Sequence, residues 1–318
     1  MSIGLIKDEE CPKLQIKVAY VIGKEKCDFD TMQQDSLVRR PNSIKKYKVV
    51  IPTPIRPVAL EKITAECEVK RWQGKEPISS DTLFEWLQRA DGLFMTGHGI
   101  KIDAELLSHA PNLRVIAQAA AGFDNVDLAA CTQRQIPFSN APGVVVEATA
   151  DVAFGILLSA ARRIHEGWDW VRSGKWEKAE LPFGITLFGK TLGIIGMGQI
   201  GAALAKRAQA SGMKVVYHNR KRRSDDSALN VEYQEFDDLL AGADFIAVLL
   251  PLSPETRGMF GREQFAKMKP SAYFINAARG AHVDTDALYE ALRNQVIAYA
   301  ALDAVSYTHL TLPTIYSV

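Results

Sequence analysis

Short apolar runs, each closed by glycine, proline or a polar turn, recur along most of the chain and alternate with stretches of helical period. From residue 48 the pattern predicts a strand at Lys48-Val-Val-Ile, a helix from Val58 to Ala65, a strand from Cys67 to Trp72 and a helix opened by Ser80 or Asp81 as N-cap. Strand Asp91 to Met95, helix Asp103 to Ala110, strand Arg114 to Gln118, helix Val126 to Gln133 and the short strand Ile136 to Ser139 follow. Such alternation implies an α/β fold with a parallel sheet, here of about five strands. Asn140-Ala-Pro-Gly143 breaks the series. A long helix is then predicted from Val144 to about His165, followed by an aromatic-rich excursion from Trp168 to Trp176.

A second series opens at Gly189-Lys-Thr-Leu. It reads strand Leu192 to Ile195, helix Ala202 to Ala210, strand Lys214 to His218, a short strand near Val231 and helix Phe236 to Ala241. Strand Asp244 to Pro251, helix Gly261 to Met268, strand Ala272 to Arg279, helix Asp284 to Arg293 and a last strand Ile297 to Asp303 complete it. This is the pattern of a doubly wound sheet, whose ligand crevice lies at the C-terminal ends of the strands where their order reverses. Ahead of residue 48 the pattern is ambiguous: Lys17 to Ile22 admits a strand, and the polar run from Arg39 to Lys46 breaks any regular element.

Composition narrows the class. At 318 residues, 47% hydrophobic and 24% charged, the chain is an ordinary globular protein of about two domains. A formal net charge of +1 argues against a nucleic-acid partner. Cys11, Cys27, Cys67 and Cys131 are scattered, which fits reduced thiols in a cytoplasmic protein and gives no metal site. The N-terminus lacks the apolar core of a signal peptide, and the most apolar helix, Val144 to Ala161, carries Glu147 and Asp151, so no membrane span is expected.

The chemistry concentrates at Gly196-Met-Gly198-Gln199-Ile200-Gly201. A strand that turns on G-x-G-x-x-G into a helix is a dinucleotide site: the glycines allow the tight turn, the approach of the pyrophosphate and close helix packing. The alternative is a glycine-rich turn that binds nothing. An NAD site usually places a carboxylate at the end of the next strand for the ribose 2′-hydroxyl. Here that strand ends in Tyr217-His218-Asn219-Arg220-Lys221-Arg222-Arg223, with no carboxylate and four cations. Guanidinium groups pair with phosphate, so NADPH is expected over NADH, with NADH possible; the alternative is a solvated basic loop. Arg279 closes a buried strand at the crevice, where it can bind a carboxylate and polarise a carbonyl, or serve as a structural strand-end residue. Asp303 ends the next strand, suited to a carboxamide or to capping a turn. The tight turn Ala121-Gly122 offers backbone N–H groups to a small anion, and the loop Thr96-Gly97-His98-Gly99 shapes which acid fits.

Four stretches, Val144-Val-Val-Glu-Ala-Thr-Ala-Asp-Val-Ala-Phe, Gly189 to Gly201, Leu250-Pro-Leu-Ser-Pro-Glu-Thr-Arg-Gly and Phe274-Ile-Asn-Ala-Ala-Arg-Gly, resemble the D-isomer-specific 2-hydroxyacid dehydrogenase family. The resemblance runs from about Lys48 to Asp303, and the cation-rich strand end resembles the glyoxylate/hydroxypyruvate and 2-ketogluconate reductase branch. It implies a flavodoxin-like substrate domain at 47–140 and a Rossmann NAD(P)-binding domain at 141–304, between an extension at 1–46 and a tail at 305–318. It further implies a homodimer through the cofactor domain and a small 2-keto or 2-hydroxy acid as substrate. Arg279 matches the catalytic arginine, and Ala121 and Gly122 the amides that hold the carboxylate. Thr149, Gln199, Ile200, Leu250, Pro251, Thr256, Ala277 and Asp303 match cofactor positions.

The family also uses a glutamate and a histidine, the histidine donating a proton to the keto oxygen and the glutamate keeping it charged. The glutamate position holds Thr308, and the chain stops at Val318 before the histidine is reached. The stretch from Val305 onward shows no family resemblance, so a truncated chain with a foreign tail and impaired turnover is expected. His309, which has no carboxylate partner within the tail, and His98 and His282, each more at home as a loop or cap histidine, are the remaining candidates for an acid. The rival readings are a cofactor-sensing, corepressor-like binding protein and a non-functional fragment.

Overall fold

The computed structural model describes residues 46–97, 99–304 and the strand Ile315–Ser317. The strand admitted at Lys17 to Ile22, and His98, Thr308 and His309, lie outside the described residues.

Two parallel sheets organise the chain. The first contains β1 (Lys48–Ile51), β2 (Glu68–Arg71), β3 (Gly92–Thr96), β4 (Val115–Ala119) and β5 (Phe138–Ser139) in the order β2-β1-β3-β4-β5. That order is flavodoxin-like. Helices α1 (Pro57–Glu66), α2 (Ser80–Leu87), α3 (Ala104–Ser108) and α4 (Leu128–Gln133) make the crossovers. Leu83, Leu87, Leu93, Met95, Leu107 and Ile116 form their core. The α2 cap is Ser79, whose Oγ accepts from the Thr82 N–H at 3.3 Å, one residue ahead of the expected cap. The apolar periodicity locates the helix body, but neighbouring serines compete for the cap on backbone geometry alone.

The second sheet has seven strands: β6 (Thr191–Ile195), β7 (Lys214–His218), β8 (Glu232–Tyr233), β9 (Phe245–Val248), β10 (Tyr273–Asn276), β11 (Tyr299–Leu302) and β12 (Ile315–Ser317). Their order is β12-β11-β10-β9-β6-β7-β8, and every pairing is parallel. The order reverses between β6 and β9, the place where a doubly wound sheet opens a crevice. Strand alternation divides the core cleanly. Phe245 and Ala247 pack with α5 (Val146–Arg162) and α7 (Gln199–Ala210); Ile246 and Val248 pack with α8 (Phe236–Gly242), α9 (Arg262–Lys267) and α10 (Thr285–Arg293). Burial of a side chain such as Phe245, Ile246 or Val248 contributes about 1.5–3 kcal/mol, so this sheet is a rigid platform for the loops at its edge.

Two expectations are corrected. The long helix predicted through His165 ends at Arg162; Arg163 takes a left-handed conformation (φ 54°), and α6 (Ile164–Arg172) starts anew and includes Trp168. A returning segment explains the break: the Ile185 N–H donates to Ala161 O at 2.8 Å, and a Cβ on Gly184 would lie 2.4 Å from that oxygen. The Arg163 guanidinium then pairs with Glu166 of α6, which also accepts from Tyr299. The strand ending near Asp303 is also not the last, because β12 adds beside β11; three residues are too few to show a period. Among the described residues no helix is long and apolar enough to cross a membrane, and no cluster of side chains suits a metal ion.

Candidate active site

The glycine turn is built by sterics. Gly196 sits at φ +101°, and a Cβ there would lie 2.8 Å from the Leu249 carbonyl and 2.9 Å from Leu250 N. Only glycine takes that conformation and that approach to β9's exit without strain. A Cβ on Gly201 would stand 2.7 Å from Gly196 O, so α7 packs directly on the turn. Gly198 differs: nothing lies within 4 Å of where its Cβ would be. It is the N-cap of the 12-residue α7 and supplies no side-chain cap, which leaves the first-turn N–H groups and the positive end of the helix facing that open space. An open, uncapped helix N-terminus behind a glycine turn suits the pyrophosphate of a dinucleotide.

The turn is braced from β7. The Met197 N–H donates to Asn219 Oδ1 at 2.7 Å, Asn219 Nδ2 donates back to Met197 O at 3.3 Å, and Arg223 Nη1 donates to the same oxygen at 2.9 Å. Asn219 thus acts on the site through the loop backbone. The four-cation run resolves into two pairs. Arg222 meets Asp226 at 2.7 Å, and Arg223 grips both Asp225 oxygens at 2.7 Å; these guanidinium groups hold the two carboxyls below their usual range. Arg220 and Lys221 are exposed and form no ion pair among the described residues. Arg220 reaches only by its charge to Glu255, whose carboxyl is lowered first by a hydrogen bond from Ser253.

Around β9 and β10 the backbone is tied by side chains. Thr256 Oγ1 accepts from the Ser253 N–H at 2.8 Å and donates to Pro251 O at 3.0 Å, closing the Leu250–Thr256 loop on itself. His282, fully buried, sets Nδ1 2.9 Å from Thr256 O and Nε2 3.1 Å from Leu250 O. Both ring nitrogens are engaged, so His282 fastens this loop and is not available to protonate a substrate. Asn276, also fully buried, accepts from the Ala278 N–H at 3.1 Å and donates to Arg279 O at 2.9 Å, while its own carbonyl receives the Asp303 N–H at 3.0 Å. Arg279 and Asp303 are thereby placed at adjacent strand ends. Ala277 is buried beneath them.

The Arg279 side chain, 36% exposed, is held by protein groups. Its Nε and Nη2 both lie 3.0 Å from Asp124 Oδ1, and Nη1 donates to Ala278 O at 2.9 Å. Asp124 belongs to the turn that follows β4, so the contact carries Ala121 and Gly122 to the edge that bears the glycine turn. That turn is fixed from behind. Gln118, 3% exposed, donates to Gly122 O at 2.7 Å; Asn125 donates to Ile100 O at 2.7 Å; Asn140 donates to Ala121 O at 2.7 Å. The Ala121 N–H has no acceptor among the described residues. Gly97 (φ +69°) follows β3 and borders open space. Thr149 lies on the second turn of α5, and Gly143, just ahead of that helix, abuts Gln199 of the glycine turn. Ile200 and Gln199 open α7 beside Gly201.

Sequence inspection missed Asp124, Gln118, Asn125, Asn276 and Arg223. Gln118 and Asn276 were detectable as amides inside apolar strands, where a polar side chain needs a partner. Asp124 carried no local signal.

A parallel doubly wound sheet with a glycine turn at its switch point defines a dinucleotide-binding α/β protein. The D-isomer specific 2-hydroxyacid dehydrogenase NAD binding domain matches residues 154–313, a span that passes Asp303 into the stretch where no resemblance was read. A glyoxylate reductase of Thermococcus litoralis is 43% identical over 81% of this chain and 80% of its own length. One from Aeropyrum pernix is 40% identical over 82% and 79%. Among solved structures, a glyoxylate reductase from Paecilomyes thermophila superposes with a TM-score of 0.78 at 30% identity, covering 85% of each chain. An NADPH-dependent glyoxylate/hydroxypyruvate reductase from Sinorhizobium meliloti, in complex with NADP and malonate, gives 0.75 at 27%, covering 86% of each. The chain belongs to the D-isomer specific 2-hydroxyacid dehydrogenase family.

Proposed function

We propose that this chain reduces a small 2-keto acid, of the glyoxylate or hydroxypyruvate type, to a D-2-hydroxy acid, with NADPH preferred and NADH accepted. The observation that carries this reading is the placement of Arg279, at the sheet edge bearing the glycine turn, against the Ala121–Asp124 turn. The similarity to glyoxylate reductases supports the substrate class. On this reading residues 47–140 form the substrate domain and 141–304 the cofactor domain, with an extension at 1–46 and a tail at 305–318.

The α7 N-terminus behind Gly196 and Gly198, with the N–H groups of Gln199, Ile200 and Gly201, holds the pyrophosphate; Arg220 and Lys221 pair with a 2′-phosphate. Thr149, Leu250, Pro251, Thr256, Ala277 and Asp303 border the rest of the dinucleotide. When bound, a nicotinamide would supply the hydride for the keto carbon, and the proton for the keto oxygen would come from solvent water. Arg279 and the Ala121 and Gly122 amides hold the substrate carboxylate, and the guanidinium also draws charge from the adjacent keto oxygen. Gly97 borders the acid's remaining substituent. Thr308 stands where the family's glutamate is expected, so turnover about 10²–10⁴-fold below that of relatives that hold the glutamate is the expected result. The same threonine favours the second reading, a cofactor-sensing binding protein. The reading places the protein in the cytoplasm.

The cofactor preference rests on two cations. In the double variant Arg220→Ala/Lys221→Ala, NADPH affinity is expected to fall about 10–100-fold while NADH affinity stays put, measured by fluorescence titration. An NADH preference in the parent chain would overturn the assignment.

A homodimer through the cofactor domain is supported by exposed apolar side chains on and after α6. Trp168 (53%), Val171 (63%), Trp176 (61%) and Phe183 (96% exposed) are large apolar side chains, close in sequence, of the kind an interface covers. Light scattering after gel filtration is expected to give twice 35.1 kDa, and Val171→Asp to return the mass to one chain. A monomeric parent would remove this part of the proposal.

A further inference from the structure

Asp124 has no part in the roles assigned above, yet it makes the contact that joins the two halves of the site. Arg279 follows β10 and Asp124 follows β4, separated by 155 positions. Both Nε and Nη2 of the arginine meet one oxygen of that carboxylate at 3.0 Å, and Nη1 is held from the opposite side by Ala278 O at 2.9 Å. A long, rotamer-rich side chain is thus pinned on two edges of its planar fork.

We propose that Asp124 is a positioning residue for the reaction: it sets the plane in which the Arg279 guanidinium meets the substrate carboxylate. The proposal rests on the reading that Arg279 receives that carboxylate. Guanidinium recognition of a carboxylate is planar and directional, so orientation governs it as much as charge does. The support beneath Asp124 matches this role. Gln118, buried within β4, holds Gly122 O at 2.7 Å and exchanges 3.3 Å hydrogen bonds with the Asn125 amide, which in turn holds Ile100 O at 2.7 Å. Two amides spent on one turn fix the backbone on either side of Asp124. An ion pair kept for surface stability needs no such frame and contributes little. The arrangement also ties the approach of the substrate turn to the orientation of the arginine. With Asp124 on one edge of the guanidinium, the substrate's negative charge is shared with the Ala121 and Gly122 amides, which explains why the turn itself must come to the arginine.

The test uses oxamate, an unreactive mimic of a 2-keto acid, titrated calorimetrically into the full chain saturated with NADPH. Asp124→Ala is expected to weaken oxamate about tenfold or more, and Asp124→Asn by less, because its amide oxygen still accepts from the guanidinium. NADPH affinity and melting temperature stay near the parent's in Asp124→Asn. In an Arg279→Lys background Asp124→Ala is expected to cost nothing further, since an ammonium has no plane to set. Oxamate affinity unchanged or raised in both Asp124 variants, or full additivity with Arg279→Lys, overturns the proposal. Loss of NADPH and oxamate together in Asp124→Asn overturns it too, in favour of a purely structural role. A parent chain that binds NADPH but not oxamate refutes the functional reading, and the proposal with it.

Discussion

Arg279→Ala is expected to lower kcat/KM for glyoxylate and the affinity for oxamate by about 10²–10³-fold, with NADPH affinity nearly unchanged. The size follows from what the guanidinium does in the proposed site: it contributes charge-assisted hydrogen bonds to the carboxylate and stabilises charge on the keto oxygen. Arg279→Lys is expected to recover little, because a point charge cannot reproduce the fork that Asp124 and Ala278 hold in place. The backbone should survive either change. The turn is closed by Asn276, whose amide bonds to the Arg279 carbonyl and the Ala278 N–H and not to the guanidinium. Kinetics at saturating NADPH, with a melting curve for each variant, check this. An Arg279→Ala chain that keeps its parent's kcat/KM removes arginine from the mechanism.

Gly198→Asp is expected to abolish NADPH binding without loss of stability, whereas Gly196→Ala is expected to destabilise the fold itself by about 2–5 kcal/mol. The two glycines stand two positions apart and answer to different physics. At Gly196 an added Cβ meets backbone atoms at 2.8 Å that cannot move aside, in a left-handed conformation. At Gly198 the added side chain enters open space. Aspartate is a favourable N-cap and complements the helix dipole, so α7 gains from it, but its charge and bulk occupy the position proposed for the pyrophosphate. The readout is thermal stabilisation by ligand, about 2.7 kcal/mol at a hundredfold excess over Kd for the parent and none for Gly198→Asp. Stabilisation retained in Gly198→Asp would place the dinucleotide elsewhere.

The order of elements was legible because the central strands are short and wholly buried, so they read as unbroken apolar runs; Phe245–Val248 and Tyr299–Leu302 show no exposed position at all. Parallel sheets leave that mark, and crossover helices leave the complementary period. The glycine turn was legible because its steric demands fall on consecutive residues. What was not legible depends on contacts far apart in sequence. The break at Arg163 is imposed by a segment returning past Ala161, and nothing in Ala160-Ala-Arg-Arg-Ile announces it. The basic run after Asn219 looked like four equivalent cations; their division into two bound internally and two exposed follows from Asp225 and Asp226 folding back beneath them. Asp124 was invisible for the same reason, its partner following a strand of the other sheet.

The central claim, that this is a keto-acid reductase and not a cofactor sensor on the same fold, is met most directly by a single-turnover experiment. The chain is mixed in excess with NADPH and hydroxypyruvate, absorbance at 340 nm is followed to completion, and the product is resolved by chirality. Slow, stoichiometric loss of NADPH with D-glycerate as the product is expected, slowed by about a further 10²–10³-fold in Arg279→Ala. Tight NADPH binding with no oxidation over many hours would contradict it and leave a cofactor-sensing protein in its place.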